Sequence, residues 1–127
     1  MKKYIFLAGA LALLALTFGC SAERQNQIGD APSRAKSRAM QVEAQLLLKQ
    51  IYTMQRAYYN MHKSYTDNLN KMGMTLPGNT SYSYSIRVNG ATWTCAATAN
   101  LDNDATIDRW VIDQNGGVRC ITNDATS

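Results

Sequence analysis

The stretch Tyr82-Ser83-Tyr84-Ser85-Ile86-Arg87-Val88-Asn89-Gly90-Ala91-Thr92-Trp93-Thr94-Cys95 decides the fold class of this 127-residue chain. Tyr82, Tyr84, Ile86 and Val88 alternate with Ser83, Ser85 and Arg87, the period of a strand with one buried face. Asn89-Gly90 is a hairpin signal, because both residue types tolerate the positive φ of a two-residue turn. The spacing predicts a returning strand from Ala91 to about Ala99, with Trp93 opposite Ile86 and Cys95 opposite Tyr84 on the apolar face. Arg109-Trp110-Val111-Ile112-Asp113, the turn Asn115-Gly116-Gly117 and the run Val118 to Thr122 predict a second hairpin. Asn123 to Ser127 reads as a polar tail.

Upstream the period changes. Met40, Ala44, Leu47, Ile51, Met54, Tyr58, Met61 and Tyr65 recur in alternating steps of four and three, a stripe along one helix face. Leu46, Leu48, Tyr52 and Tyr59 widen it, which suits packing on a sheet better than a narrow two-helix seam. Ser33 or Asp30 can cap the start, and Pro32 is tolerated in a first turn. The pattern fades after about Lys63, and Leu76-Pro77-Gly78-Asn79 closes a loop. The expected architecture is α+β, a long N-terminal helix packed on a four-stranded antiparallel sheet, in one domain over residues 33–127.

The first twenty residues stand apart. Lys2 and Lys3 precede an apolar run from Tyr4 to Phe18, about fifteen residues and short of the roughly 20 that span a bilayer, which reads as a secretory signal peptide over residues 1–19. Two processing routes are open. Leu16-Thr17-Phe18-Gly19-Cys20 resembles a bacterial lipobox, which makes Cys20 an acylated N-terminus on a polar tether of residues 20–32. Thr17 and Phe18 depart from that pattern, which has Leu and then a small residue in their places. Cys20 and Ala22 also satisfy the small-residue rule for ordinary cleavage before Glu23, which gives a soluble periplasmic protein. The formal charge is +4, and loss of Lys2 and Lys3 leaves +2, no argument for a nucleic-acid partner.

Either route removes Cys20 from the thiol pool and leaves Cys95 and Cys120. An oxidising compartment then predicts a Cys95–Cys120 disulfide, closing a loop of about 25 residues and contributing roughly 3 kcal/mol by loop entropy. Two cysteines and the sole histidine, His62, match no zinc spacing.

The helical residues Ala35-Lys36-Ser37-Arg38-Ala39, Glu43 to Tyr52, Gln55-Arg56-Ala57-Tyr58-Tyr59 and Tyr65-Thr66 resemble the second half of the long helix of type IV pilins and type II secretion pseudopilins. Tyr82-Ser83-Tyr84, Ala97 to Asp104, Asp108 to Asp113 and Gly116-Gly117 resemble the sheet of the same family. The likeness spans about residues 33–124. The pilin leader, the Glu that follows its cleavage site and the apolar helix half are replaced here by the lipoprotein-type leader, so filament-core packing is not implied. What the resemblance implies is the fold and an envelope setting, in a pilus or a secretion system.

Asp102-Asn103-Asp104-Ala105-Thr106-Ile107-Asp108 places oxygen side chains at alternate positions, and Asp113 is twelfth from Asp102, a spacing that a calcium loop uses to wrap six to eight oxygens round the ion. Ile107 stands where such a loop needs Gly. Calcium binding by major pseudopilins makes Asp102, Asp104, Asp108 and Asp113 a candidate calcium set by resemblance, and carboxylates capping turns are the alternative. Tyr52, Tyr58, Tyr59, Tyr65, Tyr82, Tyr84, Trp93 and Trp110 read as core with a wet edge. No nucleophile motif or framed carboxylate pair is present, so no enzyme is expected. The expected role is a non-enzymatic lipoprotein of the cell envelope, favouring the outer membrane over a periplasmic form, that contacts pilus or secretion-system proteins without nucleic acid. The alternatives are a stand-alone adhesion or ligand-binding lipoprotein and the globular partner of a split pilin.

Overall fold

The computed structural model describes residues 31–126. The leader, Cys20 and all of the tether but its last two residues lie outside that range. Helix α1 spans Ala31–His62, with Pro32 in the first turn, where a missing N–H costs nothing. It ends where Lys63 takes φ 54° and its N–H donates to the Tyr59 carbonyl at 2.8 Å, closing the last turn with a left-handed residue. Strands β1 (Ser83–Asn89), β2 (Thr92–Ala99), β3 (Asp108–Asp113) and β4 (Arg119–Thr122) form an antiparallel meander in the order β1-β2-β3-β4. This is the α+β arrangement expected from the sequence.

Strand alternation builds the core. Trp93, Cys95, Ala97 and Ala99 on β2 and Ile112 on β3 point to the helix side, and Ala44, Leu47, Leu48 and Ile51 fill the helix side of the same cluster. Three small residues in a row on β2 leave room for the Leu and Ile side chains of α1. Met72 and Met74, after the short 3-10 turn Asn70–Met72, close the cluster.

The helix stripe departs from expectation at its end. Met61 is 73% exposed, and Gln41 and Gln55 are buried. A strict four-three alternation drifts about 20° per heptad on a straight helix, so over three heptads the buried face moves off Met61 and onto positions such as Gln55. Gln55 is accommodated because its amide donates to the Thr66 carbonyl at 2.5 Å and accepts from the Thr66 N–H at 3.2 Å, tying the loop after α1 back to the helix. Tyr65 lies past the helix end, where its ring stacks on Tyr59 at 4.7 Å and tilts toward Trp93 at 6.2 Å.

Two further corrections concern the sheet. The first hairpin turns at Gly90-Ala91, so Trp93 pairs with Val88 and Cys95 with Ile86, two residues from the expected register. Gly90 at φ 58° supplies the positive φ that the first turn position demands, and a shift of two keeps every side chain on its face. The Cys95–Cys120 disulfide is not formed: both thiols are free, Cys95 buried and Cys120 exposed. Strand β3 lies between them, since Cys95 pairs with Ile112 and Cys120 with Trp110. Two strand spacings, about 9.5 Å, exceed the roughly 7 Å Cα separation that a disulfide bridges. Ile121, opposite the register shift between Arg109 and Trp110, is the extra residue of a β-bulge. Among the described residues no helix is long and apolar enough to cross a membrane.

Candidate functional site

The carboxylates at one end of the sheet form the most elaborate polar arrangement, and it begins with Asp108. As the first residue of β3, Asp108 points inward and is fully buried. Its Oδ1 accepts from Gln41 Nε2 and from the Asp124 N–H, both at 2.9 Å, and its Oδ2 accepts from the Tyr82 hydroxyl at 2.5 Å and Trp110 Nε1 at 2.6 Å. A buried carboxylate is tolerable only when its lone pairs are met, and four donors meet these. The hub joins α1, the approach to β1, β3 and the C-terminal segment. Burial, reinforced by the hydrogen bond to Asp108, pushes the Tyr82 phenol well above its ordinary range.

The candidate calcium residues are divided by this geometry. Asp102 and Asp104 stay together in the β2–β3 loop, and their third neighbour is Asp124, with one carboxylate oxygen of each lying within 4.8 Å of the others. Asp108 serves the hub. Asp113 lies five residues along β3, about 17 Å away, where its Oδ2 pairs with Arg119 Nη2 at 2.9 Å and its Oδ1 accepts from the Asn115 N–H at 2.9 Å. The loop carboxylates also have work of their own: Asp102 accepts from the Asp104 N–H at 3.1 Å, Asp104 from the Thr106 N–H at 2.5 Å, and Asp124 from the Leu101 N–H at 2.8 Å. Asn103 takes φ 67° between them, with its N–H on Asn100 Oδ1 at 2.7 Å. Three carboxylates offer three to six of the six to eight oxygens that calcium takes, depending on whether each binds through one oxygen or two. The arrangement matches carboxylates that cap turns.

Asp124 belongs to the expected polar tail, yet it is 1% exposed and opens a second 3-10 turn, Asp124–Thr126. Nothing in its sequence setting marks it as buried. Gln41 was equally silent, a polar residue one step off the apolar stripe, and it also donates to Asn123 Oδ1 at 2.9 Å.

The remaining candidates separate by burial. Trp93 and Tyr82 are core residues, while Tyr52, Tyr58, Tyr65, Tyr84 and Trp110 are half-buried round it. His62 is exposed and stacks on Tyr58 at 4.2 Å. Burial pushes the Cys95 thiol up to about 12, and partial burial with the nearby Asp108 charge raises Cys120. Both are therefore protonated at neutral pH and slow nucleophiles.

A long helix thus packs on a four-stranded meander, with a D-rich loop joining the middle strands. The family model described as type IV pilin-like G and H matches residues 41–115, more than half of the chain. The chain belongs to that family. No curated protein and no solved structure matches it. The match begins at Gln41, the helix residue of the Asp108 hub, and ends at Asn115 in the turn after β3. The matched region thus takes in the helix from Gln41 onward, the first hairpin, the D-rich loop and β3.

Proposed function

We propose that this pilin-like protein is a non-enzymatic, exported lipoprotein, acylated at Cys20, that works through protein–protein contacts in a type IV pilus or a type II secretion system. The observation that carries the reading is the pilin-like domain itself, matched over residues 41–115; Lys2, Lys3 and the apolar run from Tyr4 to Phe18, read as a secretory leader, support it. A long apolar segment ahead of the helix is what lets a pilin pack into a filament core. In its place stands a leader of about fifteen apolar residues that ends at a lipobox-like cysteine. A domain held to a membrane by acyl chains meets the machinery from outside the filament. It offers a sheet and loops for contact, and among the described residues no cluster of nucleophile, base and oxyanion donors supports catalysis. Deletion of the gene is expected to impair piliation or secretion, with rescue by the native chain and weaker rescue by Cys20→Ser. Unchanged piliation and secretion in the deletion strain would contradict the proposal.

A further inference from the structure

The face of the sheet turned away from α1 carries a groove of about 550 Å³ lined by Ser85, Arg87, Thr94, Ala96, Thr98 and Arg109. Its shape follows from the sequence. Ser85 pairs with Ala96, Arg87 with Thr94 and Thr98 with Arg109, so small side chains pave the middle and an arginine stands at each of two opposite corners. On a flat lattice those corners are two strands and four residues apart, about 17 Å between Cα positions.

Asp113, in register with Thr94, brings a carboxylate to this face, but it is engaged by an arginine of its own. Arg119 is held by Asp113 at 2.9 Å, and that pair is the only salt bridge among the described residues. Arg87 and Arg109 make no side-chain hydrogen bond or ion pair there. Among the described residues no aromatic ring lines the groove, so they offer no stacking platform for nucleic-acid bases, and two cations are too few to follow a phosphate backbone. What fits two separated guanidiniums over hydroxyl-bearing small residues is a carboxylate chain. Each arginine can grip a carboxylate with two parallel hydrogen bonds, while Ser85, Thr94 and Thr98 meet backbone carbonyls between them.

We infer that this groove is a docking site for an extended acidic segment of a partner protein, with Arg87 and Arg109 as its anchors. The inference deepens the proposed function by naming the chemistry of the contact surface, and it rests on that reading only in taking the occupant to be a protein. The test titrates the natively exported protein, in detergent, into a short fluorescent peptide of alternating Glu and Ser and follows anisotropy. Saturable binding is expected that weakens as salt rises, falls roughly tenfold in Arg87→Gln/Arg109→Gln, and is absent for the peptide with Gln in place of Glu. The thermal midpoint of the double variant should match that of the parent, since both side chains are exposed and make no pair among the described residues. No saturable binding, or binding undiminished in the double variant, overturns the inference. So does an anionic polysaccharide held by the same arginines in preference to the peptide. Because the titration contains no pilus or secretion component, its failure is distinguishable from failure of the functional proposal, which the deletion phenotype reads separately.

Discussion

At the scale of single residues, two tyrosines two positions apart on the same face carry opposite expectations. The Tyr82 hydroxyl donates to the buried Asp108 at 2.5 Å. Tyr82→Phe leaves a buried charge short of one donor, and urea denaturation should show a loss of about 1–3 kcal/mol. The Tyr84 hydroxyl is buried with no partner in hydrogen-bond geometry among the described residues, although Thr80 is near enough to temper the rise in its pKa. Tyr84→Phe should therefore change stability by less than about 0.5 kcal/mol or raise it, because removing an unsatisfied polar atom relieves a desolvation cost. Equal losses at the two sites would contradict the hub description. Gly116 offers a sharper case. It sits at φ 81°, and a Cβ there would lie 2.8 Å from Cζ of the Tyr52 ring. Gly116→Ala combines backbone strain with overpacking, and a loss of about 2 kcal/mol or more is expected in the same assay. A neutral outcome would mean that the turn does not lie on Tyr52.

At the scale of elements, the helix and the four strands were legible because each has a long, clean period and strong turn residues at its ends. The finer placement was legible only where a local rule settles it. Asn89-Gly90 and Gly90-Ala91 are both acceptable two-residue turns when Gly90 supplies the positive φ, so the register of the first hairpin slipped by two while its faces stayed right. The disulfide failed for a different reason. Cysteine counting sees the compartment and the number of thiols, whereas the interposed strand β3 is a property of sheet order. The candidate cation residues were legible only in part: linear spacing grouped Asp108 with Asp102 and Asp104, but strand alternation turned Asp108 into the core, and Asp124 came beside Asp102 and Asp104 from a segment twenty residues away. The thiols give the test that belongs here. In the folded protein maleimide should label Cys120 and spare Cys95, both should label in denaturant, and reduction should leave the intact mass unchanged. A gain of two hydrogens on reduction would restore the disulfide and require a different strand order.

For the molecule as a whole, the buried thiol of Cys95 links stability to alkaline pH. Its pKa rises from an ordinary 9.0 to about 12, so between those values the folded chain keeps a proton that the unfolded chain has lost. Stability from this group is complete below pH 9 and declines as pH rises toward 12, by up to about 1.4 kcal/mol per pH unit. The Tyr84 phenol, pushed up to about 12 by burial, acts in the same direction from its ordinary 10.0. Thermal melts across pH 8–11 should thus fall less steeply for Cys95→Ala than for the parent, whatever the cost of the substitution at neutral pH. Parallel slopes would show that the thiol is solvated.

These properties describe a small domain whose polar hub ties helix, sheet and C-terminal segment together, and under the proposed function its outer face and loops make the contacts. The central claim is that those contacts are made with pilus or secretion machinery. It is tested most directly by isolating the tagged protein from its own membranes in mild detergent and identifying what comes with it by mass spectrometry. The account predicts a chain that begins at acylated Cys20 and carries with it a structural component of a type IV pilus or a type II secretion system. Recovery of an unlipidated chain with no such component, under conditions that keep known envelope complexes intact, would contradict it.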